Sequence, residues 1–168
     1  EGANVGGVGP GAQGELVAGG FLGSVLVLLA FFLQSEAVTE AAVIVSLPSL
    51  LLVASILTVN NTCDIKGDTH AGRRTLSILL GPSLSPWLIY LFGLFAFFLV
   101  AYGAYATLLP VETLVLLVPA LPLVILEYRR MHLRGYGHET KGASMGSISK
   151  IFSIYTAVVT LPLAYAIV

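Results

Sequence analysis

The segment NNTCDIKGDTHAGRRTL, residues 60–76, lies between two long apolar runs and gathers side chains of several reactive types. Asp64 and Asp68 are four residues apart, so on a continuous helix their carboxylates share one face, and Asn60 extends that face by another turn. Neighbouring carboxylates repel each other unless a cation lies between them. Mg²⁺ suits this spacing because it takes one or two protein carboxylates and completes its shell with water and phosphate oxygens. The segment therefore predicts a Mg²⁺–phosphate site with Asn60, Asp64 and Asp68 as metal ligands.

Basic side chains accompany the two aspartates. We expect Gly67 and Gly72 to end the helix and let the chain fold back. Arg73 and Arg74 would then approach the anion that the metal holds, because guanidinium groups present planar pairs of donors to phosphate oxygens. Lys66 lies about 200° around the helix from either aspartate, so it points away from their face if the helix is continuous. Cytoplasmic loops carry basic residues simply to set topology, but acidic residues contribute little to orientation, so the aspartates favour a binding site.

Five predominantly apolar runs make up most of the remaining sequence. The chain of 168 residues is 57% hydrophobic and 10% charged, whereas a soluble domain carries about 25% charged residues. A helix that spans a bilayer needs about 20 mostly apolar residues. Runs of this kind predict spans near residues 16–35, 41–60, 85–109, 111–127 and 149–168. They do not alternate in polarity as the strands of a membrane barrel do, so we predict an all-α, multi-span transmembrane helical bundle.

The distribution of charge predicts the orientation of this bundle. All eight lysines and arginines fall in two alternate connections: Lys66, Arg73, Arg74, Arg129, Arg130, Arg134, Lys141 and Lys150. The charged residues of the other two connections are all glutamates: Glu36, Glu40 and Glu112. Basic connections stay on the cytoplasmic side of a membrane. We therefore expect a multi-pass protein of the cell membrane, inner or plasma, with residues 60–84, residues 128–148 and the N-terminus in the cytoplasm.

Two regions follow from this division. Residues 1–14 are rich in glycine and predict a cytoplasmic loop, and residues 15–168 form the transmembrane domain. Gly9, Gly11 and Gly14 match the spacing of a dinucleotide-binding motif, but that motif needs a preceding strand and a βαβ unit, which the sequence lacks. The first residue is not Met and no signal peptide is visible, so we expect the natural chain to begin earlier.

The residues of segment 60–81, NNTCDIKGDTHAGRRTLSILLG, also resemble a known motif. They are similar to the second aspartate-rich motif of the UbiA superfamily of intramembrane prenyltransferases, and most similar to its 1,4-dihydroxy-2-naphthoate branch, which serves menaquinone biosynthesis. Two departures stand out. Cys63 takes the place of the arginine usual in that branch, and no aspartate precedes residue 60, so the first aspartate-rich motif is absent. The resemblance implies that the five spans correspond to the last five of nine helices, the C-terminal half of the enzyme.

The resemblance also implies an activity and roles for particular residues. A Mg²⁺-dependent aromatic prenyltransferase would move a polyprenyl group from polyprenyl diphosphate to 1,4-dihydroxy-2-naphthoate. Asp64 and Asp68 would be catalytic and, with Asn60, would bind Mg²⁺. The expected diphosphate-binding residues are Asn60, Asn61, Lys66, Arg73, Arg74 and Lys141. The basic loop at residues 128–150 would contact anionic membrane lipid, and no nucleic acid is expected as a partner.

Other activities fit the sequence less well than transfer to 1,4-dihydroxy-2-naphthoate. Cys63 leaves open a different aromatic acceptor, of the 4-hydroxybenzoate or homogentisate type. Membrane CDP-alcohol phosphotransferases are excluded, because the sequence lacks their Asp-Gly-x-x-Ala-Arg signature. A transporter or assembly subunit is disfavoured, since the spans hold no ionisable residue near the bilayer midplane. Because one cluster of carboxylates would hold one Mg²⁺, we also expect residues 1–168 to be inactive by themselves.

Overall fold

The computed structural model describes residues 14–166, and within that range the chain is helical with no strand. The helices are α1 (Gly14–Ser35), α2 (Glu40–Cys63), α3 (Ile65–His70), α4 (Leu76–Tyr105), α5 (Glu112–Arg134) and α6 (Lys141–Ala166). The predicted all-α membrane bundle is confirmed. The glycine-rich loop predicted at residues 1–14 lies, apart from Gly14, outside the described residues.

Four of the described helices are long and apolar enough to cross a membrane: α1, α2, α4 and α6. They identify the chain as a multi-pass membrane protein. The predicted span near residues 111–127 corresponds to α5, which is 23 residues long but carries too many charged residues to count among these apolar helices. Glu112 lies at its start and Glu127 and Arg129 near its end, so every 18-residue window of α5 contains at least three charged residues.

Two of these helices begin well before the predicted spans. The fourth helix starts at Leu76 rather than near residue 85, where the side-chain oxygen of Thr75 accepts a hydrogen bond from the N–H of Ile78 at 3.2 Å. It bends at Gly81, whose φ of 74° lies in the left-handed region, just before Pro82. The sixth starts at Lys141 rather than near residue 149. The first turns of α6 are therefore polar and precede its apolar run, whereas α4 begins with the mostly apolar residues 76–80 before the bend at Gly81 and Pro82.

Small residues let α1 lie against α2 at backbone distance. A Cβ added at Gly19 would lie 2.6 Å from the carbonyl oxygen of Leu50, and one added at Gly23 would lie 2.5 Å from the Cα of Leu50. Only glycine fits such a contact, which is the small-xxx-small packing of membrane helices. Ser24 Oγ also donates to the carbonyl of Ser46 at 3.2 Å. Residues 19–25 take up a π-helical turn here, a form that is frequent at functional sites.

The helix α2 lies at the centre of the bundle and packs against α1, α4 and α6, while α5 packs against α4 and α6. Val59, Ile89 and Ile151 are fully buried at these contacts. Ser55 Oγ donates to the carbonyl of Ile89 at 3.3 Å and joins α2 to α4. The C-terminal end of α2, which carries the polar segment, is therefore held among the starts of α1 and α6 and the end of α5.

Candidate functional site

The polar segment is broken at its first aspartate. Asp64 has φ −110° and ψ 14°, which ends α2 at Cys63 and starts the short helix α3 at Ile65. The prediction of one continuous helix face is therefore wrong, although the N–H of Asp68 still donates to the carbonyl of Asp64 at 2.9 Å. Gly72, at φ 71°, makes the predicted turn after α3. Gly67 lies inside α3 and does not end it.

Asp64 is held by the loop between α5 and α6. One carboxylate oxygen pairs with Nδ1 of His138 at 3.0 Å, and the other accepts a hydrogen bond from Nζ of Lys141. The hydrogen bond from Lys141 is the main reason that the pKa of Asp64 is lowered, and His138 adds to it. The structure thus brings the predicted residue Lys141 to the site. It also adds His138, which was not predicted because it lies in a loop 74 residues further along the chain.

Asp68 pairs with a different cation. It is 6% exposed, its Oδ1 accepts from Nη1 of Arg73 at 3.1 Å, and the Arg73 side chain remains 68% exposed. The second oxygen, Oδ2, is buried and has no hydrogen-bond partner among the described residues. A buried carboxylate oxygen without a partner carries a large desolvation cost, so this atom is available to bind a metal ion or to accept a hydrogen bond from a ligand.

The paired asparagines form a short chain of hydrogen bonds. Asn60 Nδ2 donates to Oδ1 of Asn61 at 3.2 Å, and Asn61 Nδ2 donates to Oε1 of Glu15 at 2.8 Å. Glu15 is 1% exposed, and it was not among the predicted site residues. Its signal was an acidic residue placed at the start of an otherwise uncharged run.

Five of the eight predicted site residues line two separate hollows, whereas Asn60, Asp68 and Lys141 line neither. A cleft of about 720 Å³ is lined by Asp64, Lys66, Tyr136 and His138, together with other residues of the α5–α6 loop. A smaller hollow of about 390 Å³ is lined by a second group of residues that includes Glu15, Asn61, Arg73 and Arg74. Lys66 therefore shares a cleft with Asp64 instead of pointing away from it. The break at Asp64 changes the angle between them, so a value taken from one continuous helix does not apply.

A tyrosine forms part of the cleft wall. Tyr136 lies in the loop between α5 and α6, and its hydroxyl donates to the hydroxyl of Tyr90 at 3.1 Å. Burial is the main cause of its raised pKa, so the phenol stays neutral. Tyr90 in turn contacts Nδ1 of His132 at 3.2 Å, which ties the loop to α4 and α5. Nothing in the sequence pattern singled out Tyr136.

Comparison with known proteins identifies the family of this chain. Residues 12–151 match the UbiA prenyltransferase family. The chain belongs to this family. It is 43% identical to a 1,4-dihydroxy-2-naphthoate octaprenyltransferase of Bacillus subtilis (strain 168) over 68 residues, which is 40% of this chain and 22% of that protein. It is also similar to the UbiA prenyltransferase domain-containing protein 1 of Dictyostelium discoideum, 44% identical over 59 residues, covering 35% of this chain and 18% of that protein.

The human protein with the same description is 34% identical over 74 residues, covering 44% of this chain and 22% of its own length. The aligned segments thus span at most 22% of each of these three relatives. No solved structure matches the chain.

Prenyltransferases of the UbiA family generally depend on a metal ion, and such an ion would need ligand atoms from side chains of this chain. Among residues 14–166 no group of three or more His, Cys, Asp and Glu side chains forms a ready metal cage. The free Oδ2 of Asp68 and the amide oxygen of Asn60 are hard donors of the type that Mg²⁺ prefers. One oxygen of Asp64 contacts the His138 imidazole and the other the Lys141 ammonium, and a metal ion would have to replace these contacts. The donor types fit Mg²⁺, which keeps several waters and needs few protein ligands.

Proposed function

We propose that the protein is an integral membrane prenyltransferase that moves a polyprenyl group from polyprenyl diphosphate to an aromatic acceptor. The observation that carries this proposal is a pair of aspartates just after α2, each beside a basic side chain: Asp64 contacts Lys141 and Asp68 contacts Arg73. One oxygen of Asp68 is buried and has no hydrogen-bond partner among residues 14–166. Membership of the UbiA family supports the same reaction class.

Asn60, Asp64 and Asp68 would hold Mg²⁺, which would neutralise charge on the diphosphate as it leaves. Arg73 carries an exposed guanidinium beside Asp68 and would contact diphosphate oxygens together with Arg74. Lys66 and Lys141, on the side of Asp64, would contact the same anion, and Asn61 would hold Asn60 in place. Fixed cations aimed at a departing anion stabilise the transition state more than they stabilise the substrate.

The reaction breaks the bond between the allylic carbon and the diphosphate oxygen. A ring carbon of the acceptor forms the new carbon–carbon bond, and the ring then loses its proton to restore aromaticity. An apolar environment protects the allylic cation from water. An apolar groove of about 610 Å³ lies between α1, α2 and α6 and is lined by residues that include Phe31, Val45, Phe152 and Tyr155. We assign the distal part of the polyprenyl tail to this groove, which is apolar and lies towards the start of α2, at the opposite end of that helix from Asp64.

For the acceptor we propose 1,4-dihydroxy-2-naphthoate, because a relative that is 43% identical over part of the chain is described as acting on it. Menaquinone biosynthesis would then be the process served. Cys63 keeps acceptors of the 4-hydroxybenzoate or homogentisate type as the second choice. We further propose that the site faces the cytoplasm, since all lysines and arginines fall in the two connections on that side. That residues 1–168 are inactive by themselves stays a prediction.

The test is prenyl transfer by purified full-length protein in lipid nanodiscs, with and without Mg²⁺, on each of the three acceptors. Asp68→Asn keeps the size of the side chain and removes its charge, and we expect a loss of at least about a hundredfold. Glu112→Gln, an exposed acidic residue at the start of α5, is the matched control and should keep its rate. Transfer by Asp68→Asn at the rate of the control would refute the proposed site.

A further inference from the structure

A buried carboxylate lies behind the proposed metal ligands, and the reaction just described leaves it unused. Glu15 is in the first turn of α1 and is 1% exposed. Its Oε1 accepts from Asn61, its Oε2 has no partner among the described residues, and it lines a hollow with Arg73 and Arg74. Burying a carboxylate costs free energy unless its surroundings compensate. We therefore expect Glu15 to do more than begin a helix.

In the hydrogen-bond chain from Asn60 through Asn61 to Glu15, each amide donates towards the carboxylate, and the carboxylate determines this orientation. An amide side chain has a donor end and an acceptor end, whereas an ionised carboxylate only accepts. Asn61 must therefore turn its NH₂ group towards Glu15, which leaves its Oδ1 facing Asn60. Asn60 must in turn present its NH₂ group to Asn61, so its own Oδ1 becomes the free end of the chain.

We infer that Glu15 is a positioning residue that, through Asn61, fixes Asn60 with its amide oxygen directed to the metal and diphosphate site. The inference rests on the proposed function, because it takes Asn60 as a ligand. Without Glu15, either amide could rotate by 180°, and Asn60 would then present NH₂ donors to a cation. Groups that orient a metal ligand in this way change metal affinity by about 10–100-fold.

The experiment measures Mn²⁺ affinity, with Mn²⁺ replacing Mg²⁺, by electron paramagnetic resonance on the full-length protein in nanodiscs. Glu15→Leu removes the acceptor and should weaken Mn²⁺ binding by about 10–100-fold. Glu15→Gln can still offer an oxygen to Asn61 and should restore part of the affinity. Glu40→Gln, which alters an exposed glutamate at the start of α2, is the matched control and should bind as the unmodified protein does.

A second comparison separates positioning from a general loss of structure. In an Asn60→Ala background the ligand is already gone, so adding Glu15→Leu should cause no further loss of affinity. A further loss as large as that seen with Asn60 present would overturn the inference, as would wild-type affinity in Glu15→Leu alone.

Asp68→Asn distinguishes this inference from the proposed function. If Asp68→Asn abolishes Mn²⁺ binding but the Glu15 variants bind normally, the positioning role is wrong and the metal site stands. If Asp68→Asn also binds normally, the metal site itself is wrong, and the role of Glu15 fails with it. If Glu15→Leu does not fold, Glu15→Gln and its effect in the Asn60→Ala background decide the outcome.

Discussion

The contact between α1 and α2 allows a quantitative prediction at Gly23. A methyl group there would lie 2.5 Å from the backbone N and Cα of Leu50 and 2.7 Å from the carbonyl carbon of Ser49. Ordinary contacts of a Cβ begin near 3.4 Å, and all three neighbours are backbone atoms, so the helices must move apart by about 1 Å. Overpacking of this kind costs about 1–3 kcal/mol, while Gly→Ala in a helix gains up to about 1 kcal/mol. We expect Gly23→Ala to destabilise the protein by about 1–2 kcal/mol.

Gly20 provides the matched control, because it lies in the same π-helical segment and a Cβ there would meet nothing within 4 Å. Gly20→Ala should therefore be neutral or stabilise the protein by up to about 1 kcal/mol. The free energy of unfolding would be measured for both variants in mixed micelles with increasing amounts of SDS. Equal stabilities of Gly23→Ala and Gly20→Ala would show that the two helices do not meet at backbone distance.

Two further predictions concern the site and the topology. Lys141 and Asp64 form a partly exposed ion pair. A double-mutant cycle of Lys141→Met with Asp64→Asn, measured on the free energy of unfolding, should therefore give a coupling energy of about 1 kcal/mol. Additive effects on that free energy would show that the pair does not form. Single cysteines at positions 38 and 70, in a Cys63→Ser background, should be labelled from opposite sides of the membrane, whereas labelling of both from outside intact cells would contradict the orientation.

The helices of this protein follow from the sequence because apolar length is a local property. The runs near residues 16–35 and 41–60 predicted α1 and α2 closely, since a helix in lipid must contain its own backbone hydrogen bonds. The start of α6 at Lys141 was predicted about eight residues late, because hydropathy marks the apolar part of a helix and not its polar first turns. The start of α4 at Leu76 was also predicted late, because this helix continues across Gly81 and Pro82, residue types that usually interrupt a helix. The break at Asp64 involves neither glycine nor proline, the residue types that most often interrupt a helix, so its position was not predicted.

The site residues were predicted where one segment supplied them and missed where two segments meet. The aspartates and the arginines share residues 60–76 and were found together. His138 reaches Asp64 from 74 positions along the chain, and Glu15 reaches Asn61 from 46 positions away. Such pairs depend on how helices pack, which the periodicity of one helix does not specify. The spacing Gly19–Gly23 was the available signal that α1 would approach another helix closely.

This spacing links the packing of the bundle to the chemistry of the site, and the link can be tested. Gly19 lies one helical turn after Glu15, so the close approach of α1 to α2 also sets the distance from Glu15 to Asn61, now 2.8 Å. A shift of about 1 Å would stretch this hydrogen bond beyond its useful range. Gly19→Ala should therefore weaken Mn²⁺ binding in the same direction as Glu15→Leu, while Gly20→Ala should leave it unchanged. Because a general loss of stability would also lower binding, both variants are compared at a temperature at which each is fully folded. Normal Mn²⁺ affinity in folded Gly19→Ala, with weakened affinity in Glu15→Leu, would show that the α1 backbone can move without disturbing the hydrogen-bond chain.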